Sequence, residues 1–170
     1  YTIRKVNKQI YEGRVGVGKD NNQSRASSFT TSVKDFVKGS NLISTTLSEH
    51  NSLVLFVVKK NVSVLTKLHD WLKNQNMDVR TNSINHPMLL IDDEADNASV
   101  NTKKDNTDPT KTNAIIRKIC NLFQTANYVG FTATPFANVF IDPDSVDSMK
   151  NADLFPEHFI YTLPTPSSYI

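Results

Sequence analysis

The sequence predicts an α/β fold in which helices flank a parallel β-sheet. Three apolar runs of strand length alternate with two segments of helical periodicity, within a chain of 170 residues that fits one domain. The second and third apolar runs each end in small polar or acidic residues. Because open α/β sheets place their chemistry at the carboxyl ends of the strands, these two ends are the first candidates for a functional site.

The three strands are predicted at residues 53–58, 88–91 and 128–131. The first run consists of β-forming apolar residues throughout, as expected for a strand that is covered on both faces. A β-α-β-α-β order requires parallel strands and right-handed crossovers. Residues 53–135 are therefore expected to form the core around one sheet, with both polar strand ends on the same edge.

Two helices are predicted between these strands. Asn61 can cap the first helix, and Asp108 and Pro109 suit the N-cap and first position of the second, which is expected to continue to Thr125. Apolar residues recur three and four positions apart in both segments. These residues are Val64, Leu65, Leu68, Trp71 and Leu72 in the first helix, and Ile115, Ile116, Ile119, Leu122 and Phe123 in the second.

Outside that core, the sequence predicts little regular structure. Residues 1–52 are expected to be mostly irregular, with a helix end at 3–11, a short strand at 29–31 and a brief helix at 32–37. Residues 136–170 are expected to form a C-terminal extension. The chain has neither an initiator Met nor a signal-peptide pattern, so a fragment or a processed product is expected.

Charge is distributed unevenly along the chain. Residues 1–85 contain 13 Lys and Arg against 6 Asp and Glu, whereas residues 86–170 contain 6 against 11. A basic half beside an acidic half suits a protein that meets phosphates with one face and holds a cation with another. The basic residues are scattered, however, so most of them are interpreted as solvated surface.

Two compositional features indicate a cytoplasmic setting. No apolar run approaches the roughly 20 residues that a membrane span needs, so no membrane insertion is expected. Cys120 is the only cysteine and cannot form an internal disulfide. Its neighbours at helical spacing are apolar, which favours a core thiol over a reactive one.

The second predicted strand ends in the acidic run Asp92-Asp93-Glu94-Ala95-Asp96. This pattern is typical of the magnesium-binding and water-activating half of a nucleotide hydrolysis site. Asp93 would hold Mg²⁺, usually through water, and Glu94 would orient or deprotonate the attacking water. An acidic turn after a buried strand is the structural alternative.

The third predicted strand leads into Thr132-Ala133-Thr134-Pro135. Parallel strands joined by a helix bring the carboxyl ends of both strands to one edge of the sheet. We therefore expect Thr132 and Thr134 to lie beside Asp93 and Glu94. A structure with the two motifs at opposite ends of the sheet would contradict the nucleotide-site interpretation.

The acidic residues Asp92, Asp93, Glu94 and Asp96 could instead form the metal cluster of a nuclease. The common restriction-type site adds a Lys two residues after an Asp or Glu, and no Lys of this sequence has that spacing. A magnesium-dependent endonuclease therefore stays open as an alternative, but without its usual Lys.

A glycine-rich segment near the N-terminus resembles a phosphate-binding loop only superficially. Residues 13–19 satisfy the G-x-x-x-x-G-K part of that motif. Asp20, however, stands where a Ser or Thr should bind magnesium, and the surrounding residues predict neither a preceding strand nor a following helix. We expect this segment to lie away from the acidic motif and to hold no phosphate.

The sequence supports neither a zinc site nor a serine-hydrolase triad. The histidines have no Cys or His at ligand spacing, so a zinc site is not expected. No Ser lies in a G-x-S-x-G context, so no hydrolase triad can be argued. The four histidines are His50, His69, His86 and His158.

The acidic motif and the Thr-Ala-Thr-Pro run resemble motifs two and three of superfamily-two helicases and translocases. Longer strings closely resemble the Z-one domain family, which comprises bacterial and phage proteins described as endonuclease-like, with a helicase-like ATPase core, often encoded beside restriction-modification genes. The strings are residues 90–101, 108–110, 128–138 and 153–156, together with 10–13 and 59–65, so that the resemblance covers nearly the whole chain.

The resemblance implies a RecA-like, P-loop NTPase-like motor lobe with Mg²⁺ and ATP as cofactors. On the family pattern Asp93 holds magnesium and Glu94 activates water. Asp96 links this site to Thr132 and Thr134, which relay the nucleotide state to the grip on nucleic acid. All of these roles are carried over from the family motifs and are expectations for this chain.

The resemblance also implies parts that the sequence lacks. The family's phosphate-binding loop would lie upstream of Tyr1 and its second lobe, with an arginine finger, downstream of Ile170. This segment, a partial first lobe, would then be catalytically silent by itself, because little in it holds ATP.

Three functions remain open on the sequence. The leading one is part of an ATP-dependent motor that acts on DNA in a bacterial restriction or defence system, with restriction-modification components as possible partners. The second is the magnesium-dependent endonuclease. The third is a non-catalytic segment that serves as a lobe interface or partner-binding surface.

Overall fold

The computed structural model describes residues 27–30, 35–36, 45–50, 53–97, 110–134, 154 and 158–164. Their architecture is α/β, with two small parallel sheets and two α-helices, which confirms the predicted class at that level. The elements in chain order are β1 (Ser27–Ser28), a 3-10 helix (Leu47–Glu49), β2 (Val54–Leu55), α1 (Val62–Asn76), β3 (Ile84–Asp93), α2 (Lys111–Cys120) and β4 (Phe123–Phe131).

The two long strands, β3 and β4, pair in parallel over most of their length. Ile84 is opposite Phe123, and after one irregularity the register runs from Pro87 opposite Thr125 to Asp93 opposite Phe131. Both strands are longer than the apolar runs that predicted them. Exposed polar residues such as Thr125 and Asn127 extend the pairing, because a strand needs only one apolar face.

The first predicted strand is shorter than expected and belongs to another sheet. Only Val54–Leu55 is strand, and it pairs in parallel with Ser27–Ser28 rather than with β3. Beyond Leu55 the backbone bonds to side chains, since Val57 N–H donates to Thr30 Oγ1 at 2.9 Å and Lys59 N–H donates to Asp35 Oδ2 at 3.3 Å. The described strands therefore form two sheets and not the single one that alternation predicted.

Helix α1 agrees closely with its prediction. The Asn61 side chain accepts a hydrogen bond from the Ser63 backbone N–H at 2.9 Å, which is the N-cap geometry. The helix buries the predicted stripe except Val64, which is half-buried. The buried members are Leu65, Leu68, Trp71 and Leu72.

Helix α2 is shorter than predicted at its C-terminal end. Thr110 caps it, with its hydroxyl accepting from Asn113 N–H at 3.2 Å, whereas Asp108 and Pro109 lie outside the described residues. The helix ends at Cys120 rather than Thr125, because the chain turns and pairs with β3. Within the turn Leu122 N–H donates to Ile119 C=O at 3.2 Å, and Leu122 C=O accepts from Ile84 N–H of β3 at 2.6 Å.

The core lies between the helices and the inner face of the β3–β4 sheet. Side chains of β3 alternate, so that Ile84 is fully buried and Asp92 is 5% exposed, whereas Leu89 and Ile91 on the outer face are each 61% exposed. Four aromatic rings, with centroids 5.1–5.9 Å apart, join β1 and β2 to α1. These rings belong to Phe29, Phe36, Phe56 and Trp71.

No described helix has the length and apolar character needed to cross a bilayer. The expected helix at residues 3–11 and most of the C-terminal extension lie outside the described residues. Of the helix expected at residues 32–37, only Asp35 and Phe36 are described, and neither is helical. The short strand expected at residues 29–31 is found two residues earlier, where Ser27 N–H donates to Leu53 C=O at 2.7 Å.

Candidate functional site

The acidic motif and the Thr-Ala-Thr run meet at the carboxyl edge of the β3–β4 sheet. In the parallel register Asp92 is opposite Gly130 and Asp93 is opposite Phe131. The pairing continues one step past β3, since Ala95 N–H donates to Phe131 C=O at 2.9 Å. The two segments therefore leave the sheet side by side, as parallel topology predicts.

Asp96 joins the two motifs directly. Its carboxylate accepts hydrogen bonds from Thr132 Oγ1 at 2.6 Å and from Thr134 Oγ1 at 2.5 Å. These bonds, first that of Thr132 and then that of Thr134, lower the pKa of Asp96 below its ordinary value of 3.8, because they stabilise the charged form. The Thr132 hydroxyl also accepts from Thr134 N–H at 3.0 Å, so the threonine loop is held by a closed set of bonds.

The turn that follows β3 carries a backbone conformation that residues with a Cβ seldom adopt. Glu94 has a φ of 54°, in the left-handed region, which costs on the order of 1 kcal/mol for such a residue. The turn is closed by Asn97 N–H, which donates to Glu94 C=O at 2.8 Å. In this turn conformation the Glu94 side chain is exposed at the edge of the sheet.

Asp92 is buried on the inner face of β3, and both of its carboxylate oxygens accept hydrogen bonds. Its Oδ1 accepts from Lys60 Nζ at 2.9 Å, and its Oδ2 accepts from the Tyr128 hydroxyl at 2.8 Å. Lys60 and Tyr128 were not singled out as site residues from the sequence. Lys60, however, lies two residues after the apolar run 53–58, much as the acidic motif follows the apolar run 88–91, and that position was an available signal.

The acidic run does not form one cluster of carboxylates. Successive residues of a strand point to opposite faces, so Asp92 lies inward while Asp93 is exposed on the outer side. Asp96 turns toward the threonines. Among the residues that the structure describes, no three His, Cys, Asp or Glu side chains come together as a group that could hold a metal ion.

An open pocket of about 480 Å³ lies at the junction of the two motifs. Glu94, Asp96 and Thr134 line it, together with Asn97 and Ala133. Two other expected site residues do not line the pocket. Thr132 is hydrogen-bonded to Asp96, which lines it, and Asp93 is exposed to solvent.

Among the described residues at this edge, Asp93 and Glu94 carry the exposed carboxylates that could bind a cation. Mg²⁺ is bound in proteins by one or two carboxylates and keeps several waters, so this donor set suits a hydrated ion. Lys60 and Tyr128 already occupy both oxygens of Asp92, which makes Asp92 a poor ligand. The glycine-rich residues 13–19 lie outside the described part, so the expectation about their placement stays a prediction.

The remaining candidate groups have local partners or lie apart. His69 Nδ1 is 3.0 Å from Asp70 Oδ1, and His86 Nε2 is 3.1 Å from Ser48 Oγ. Burial raises the pKa of Cys120 to about 11, which agrees with an unreactive core thiol.

Comparison with protein-family models, with curated proteins and with solved structures finds no match to this chain.

Proposed function

We propose that the chain is part of the first, RecA-like lobe of an ATP-dependent motor that acts on DNA in a bacterial restriction or defence system. The observation that carries the proposal is the pair of hydrogen bonds from Thr132 and Thr134 to Asp96. These bonds connect the two segments whose sequences resemble helicase motifs two and three. The resemblance to the Z-one domain family supplies the cellular setting.

In this proposal each acidic residue has a separate task. Asp93 would hold Mg²⁺ through water, and the ion when bound would neutralise charge on the ATP phosphates. Glu94, which lines the open pocket, would orient the attacking water and take its proton. Asp96 would transmit changes at the pocket to the threonine loop, because it bonds to both hydroxyls.

The geometry favours this proposal over the endonuclease alternative. Two-metal cleavage of a phosphodiester needs carboxylates that converge on ions about 4 Å apart. Here Asp92 points inward to Lys60 and Tyr128, and Asp96 points to the threonines. Only Asp93 and Glu94 are left exposed within the acidic run, which suits a single hydrated ion better than a two-ion site.

Replacement of Glu94 by Gln in the full-length protein tests the proposal. The amide keeps the side-chain shape but cannot accept a proton, so ATP hydrolysis should be lost while ATP binding stays near that of the unchanged protein. Phosphate release and the binding of a fluorescent ATP analogue measure the two quantities. Glu49→Gln is the matched control, because Glu49 is exposed in the 3-10 helix.

Two results would count against the motor. One is ATP hydrolysis at an unchanged rate in Glu94→Gln. The other is metal-dependent DNA cutting that needs no nucleotide and is lost in Glu94→Gln, which would favour the endonuclease. Cutting that depends on Glu94 only through the need for ATP agrees with the proposal.

A second candidate function is that of a lobe interface or partner-binding surface, which is favoured by exposed apolar side chains on the sheet. Leu89 and Ile91 are 61% exposed and Phe131 is 49% exposed on the outer face of the sheet. Contiguous apolar surface of this kind is typical of faces that contact another domain or chain. A change in the compactness or association state of the full-length protein, measured by sedimentation velocity when Leu89 and Ile91 are both replaced by Ser and absent in Glu94→Gln, would support this candidate.

A further inference from the structure

Lys60 makes three hydrogen bonds at the carboxyl edge of β3. Its ammonium group donates to Asp92 Oδ1 at 2.9 Å, to Asp93 C=O at 2.9 Å and to Glu94 C=O at 2.6 Å. An ammonium group has three N–H donors, so all three are used. Two of the three acceptors are the backbone carbonyls of the residues proposed to hold magnesium and to activate water.

We propose that Lys60 is a positioning residue for the acidic turn, defined as residues 93–97, and that it sets the orientation of the Glu94 carboxylate. This inference rests on the proposed function of Glu94. It adds a residue from a different segment of the chain, 34 positions before Glu94, to the machinery of that site.

Compensation of the buried Asp92 charge does not by itself explain the contacts of Lys60. A single bond to Asp92 would pair the charges, and the Tyr128 hydroxyl already satisfies the second carboxylate oxygen. The bonds to Asp93 and Glu94 instead hold the carbonyls that flank the left-handed Glu94 residue. A cation at that point favours the tight turn over the extended backbone that would continue β3.

The turn is then held from two sides. Lys60 binds its start, and Thr132 and Thr134 bind its end through Asp96. Glu94 lies between these two attachments, so the loss of either should change its position. Displacement of a catalytic group by about 1 Å can reduce a rate by about a hundredfold.

Two variants separate positioning from charge compensation. Lys60→Arg keeps a positive charge for Asp92, but its planar guanidinium cannot direct three donors from one nitrogen toward three acceptors. Lys60→Met combined with Asp92→Asn removes both charges, leaves no buried charge without a partner, and keeps an acceptor for Tyr128. Lys59→Met is the matched control, since Lys59 is the exposed neighbour.

Two measurements on the full-length protein are needed. Hydrogen exchange of the Ala95 and Asn97 amides, which bond to Phe131 C=O and Glu94 C=O, reports the order of the turn without any need for activity. Steady-state ATP hydrolysis gives kcat and KM separately. Thermal unfolding and circular dichroism show that each variant is folded.

We expect both Lys60 variants to fold, to exchange these two amides about tenfold faster, and to lose about ten- to a hundredfold in kcat with little change in KM for ATP. Lys59→Met should leave all of these quantities unchanged. Unchanged amide exchange and kcat in Lys60→Arg would overturn the proposal, because charge compensation alone would then suffice. Faster exchange with unchanged kcat would also overturn it.

The failure of the proposed function has a different signature. If the unchanged full-length protein hydrolyses no ATP, the motor assignment fails whatever Lys60 does. Amide exchange in the same variants then still decides whether Lys60 holds the turn.

Discussion

The methyl group of Ala95 packs directly over Gly130. A Cβ placed on Gly130 would lie 2.8 Å from the Ala95 Cβ, closer than two carbon atoms can approach without displacement. Ala95 is fully buried, and its N–H bonds to Phe131 C=O next to this contact. The absence of a side chain at residue 130 therefore lets the acidic turn fold back over β4 and bring Asp96 to the threonines.

Gly130→Ala should destabilise the protein by about 1–3 kcal/mol, the usual cost of an added methyl group in a packed site. The clash meets a short, rigid side chain that cannot move aside. The free energy of unfolding from urea titration measures the effect. Asn127→Ala on the exposed side of the same strand is the control and should change it by less than about 0.5 kcal/mol. Equal stability of both variants would contradict the close packing.

The pKa of Asp96 should rise toward 3.8 when the hydroxyls of Thr132 and Thr134 are removed by replacement with Val. The two hydroxyls donate to the charged carboxylate, so their loss removes the stabilisation of that form. Carbon-13 NMR titration of the carboxyl group measures the pKa. Thr125→Val, an exposed position of β4, should leave it unchanged.

The same lowered pKa predicts how stability depends on pH. Because the folded pKa lies below the unfolded value, the contribution of Asp96 is present above about pH 4 and is lost as the pH falls through the lowered pKa. The stability difference between the unchanged protein and the Thr132→Val, Thr134→Val variant should therefore shrink below pH 4. A difference that grows in acid would have the wrong sign.

Phe29→Ala should cost about 3–5 kcal/mol, since Phe29 is 6% exposed and lies 5.4 Å from the Trp71 ring centroid. Trp71 is the only tryptophan, so its fluorescence follows unfolding. Val79→Ala is the apolar control, because Val79 is 92% exposed and should contribute less than about 0.5 kcal/mol. A similar loss in both variants would contradict the aromatic core.

Cys120 should react slowly with iodoacetamide in the folded protein at pH 8. Its pKa of about 11 leaves on the order of one thiolate per thousand molecules. Mass spectrometry follows the labelling, which should accelerate on unfolding in urea. Lys118→Cys in a Cys120→Ala background is the control, since Lys118 is exposed on the same helix and a thiol there should react quickly.

Features that depend on near neighbours in the chain were predictable from the sequence. The Asn61 cap and the buried stripe of α1 follow from a side-chain acceptor at the helix start and an apolar period near 3.6. The meeting of the acidic and threonine motifs was also predictable, because parallel strands joined by a helix end on one edge. The roles proposed for Asp93 and Glu94 remain predictions.

Element boundaries were less predictable because two local patterns competed. Leu122 and Phe123 continue the helical spacing of α2, yet the chain leaves the helix at Cys120 and Phe123 pairs with Ile84. Strand pairing contributes backbone hydrogen bonds that no local pattern records. β2 is shorter than predicted because the side chains of Thr30 and Asp35 accept hydrogen bonds from the backbone beyond Leu55 in place of a neighbouring strand. Local sequence patterns do not record these contacts either.

Only the tertiary structure decided which of the two carboxylates is buried and which side chains it contacts. Asp92 and Asp93 are adjacent in sequence and identical in residue type, but the pleat of β3 turns one inward and the other outward. The inward residue meets Lys60 and Tyr128, which are 32 and 36 positions away along the chain. Periodicity and capping are local properties that a sequence displays, whereas the partner of a buried charge depends on which distant segments the packed core brings beside it.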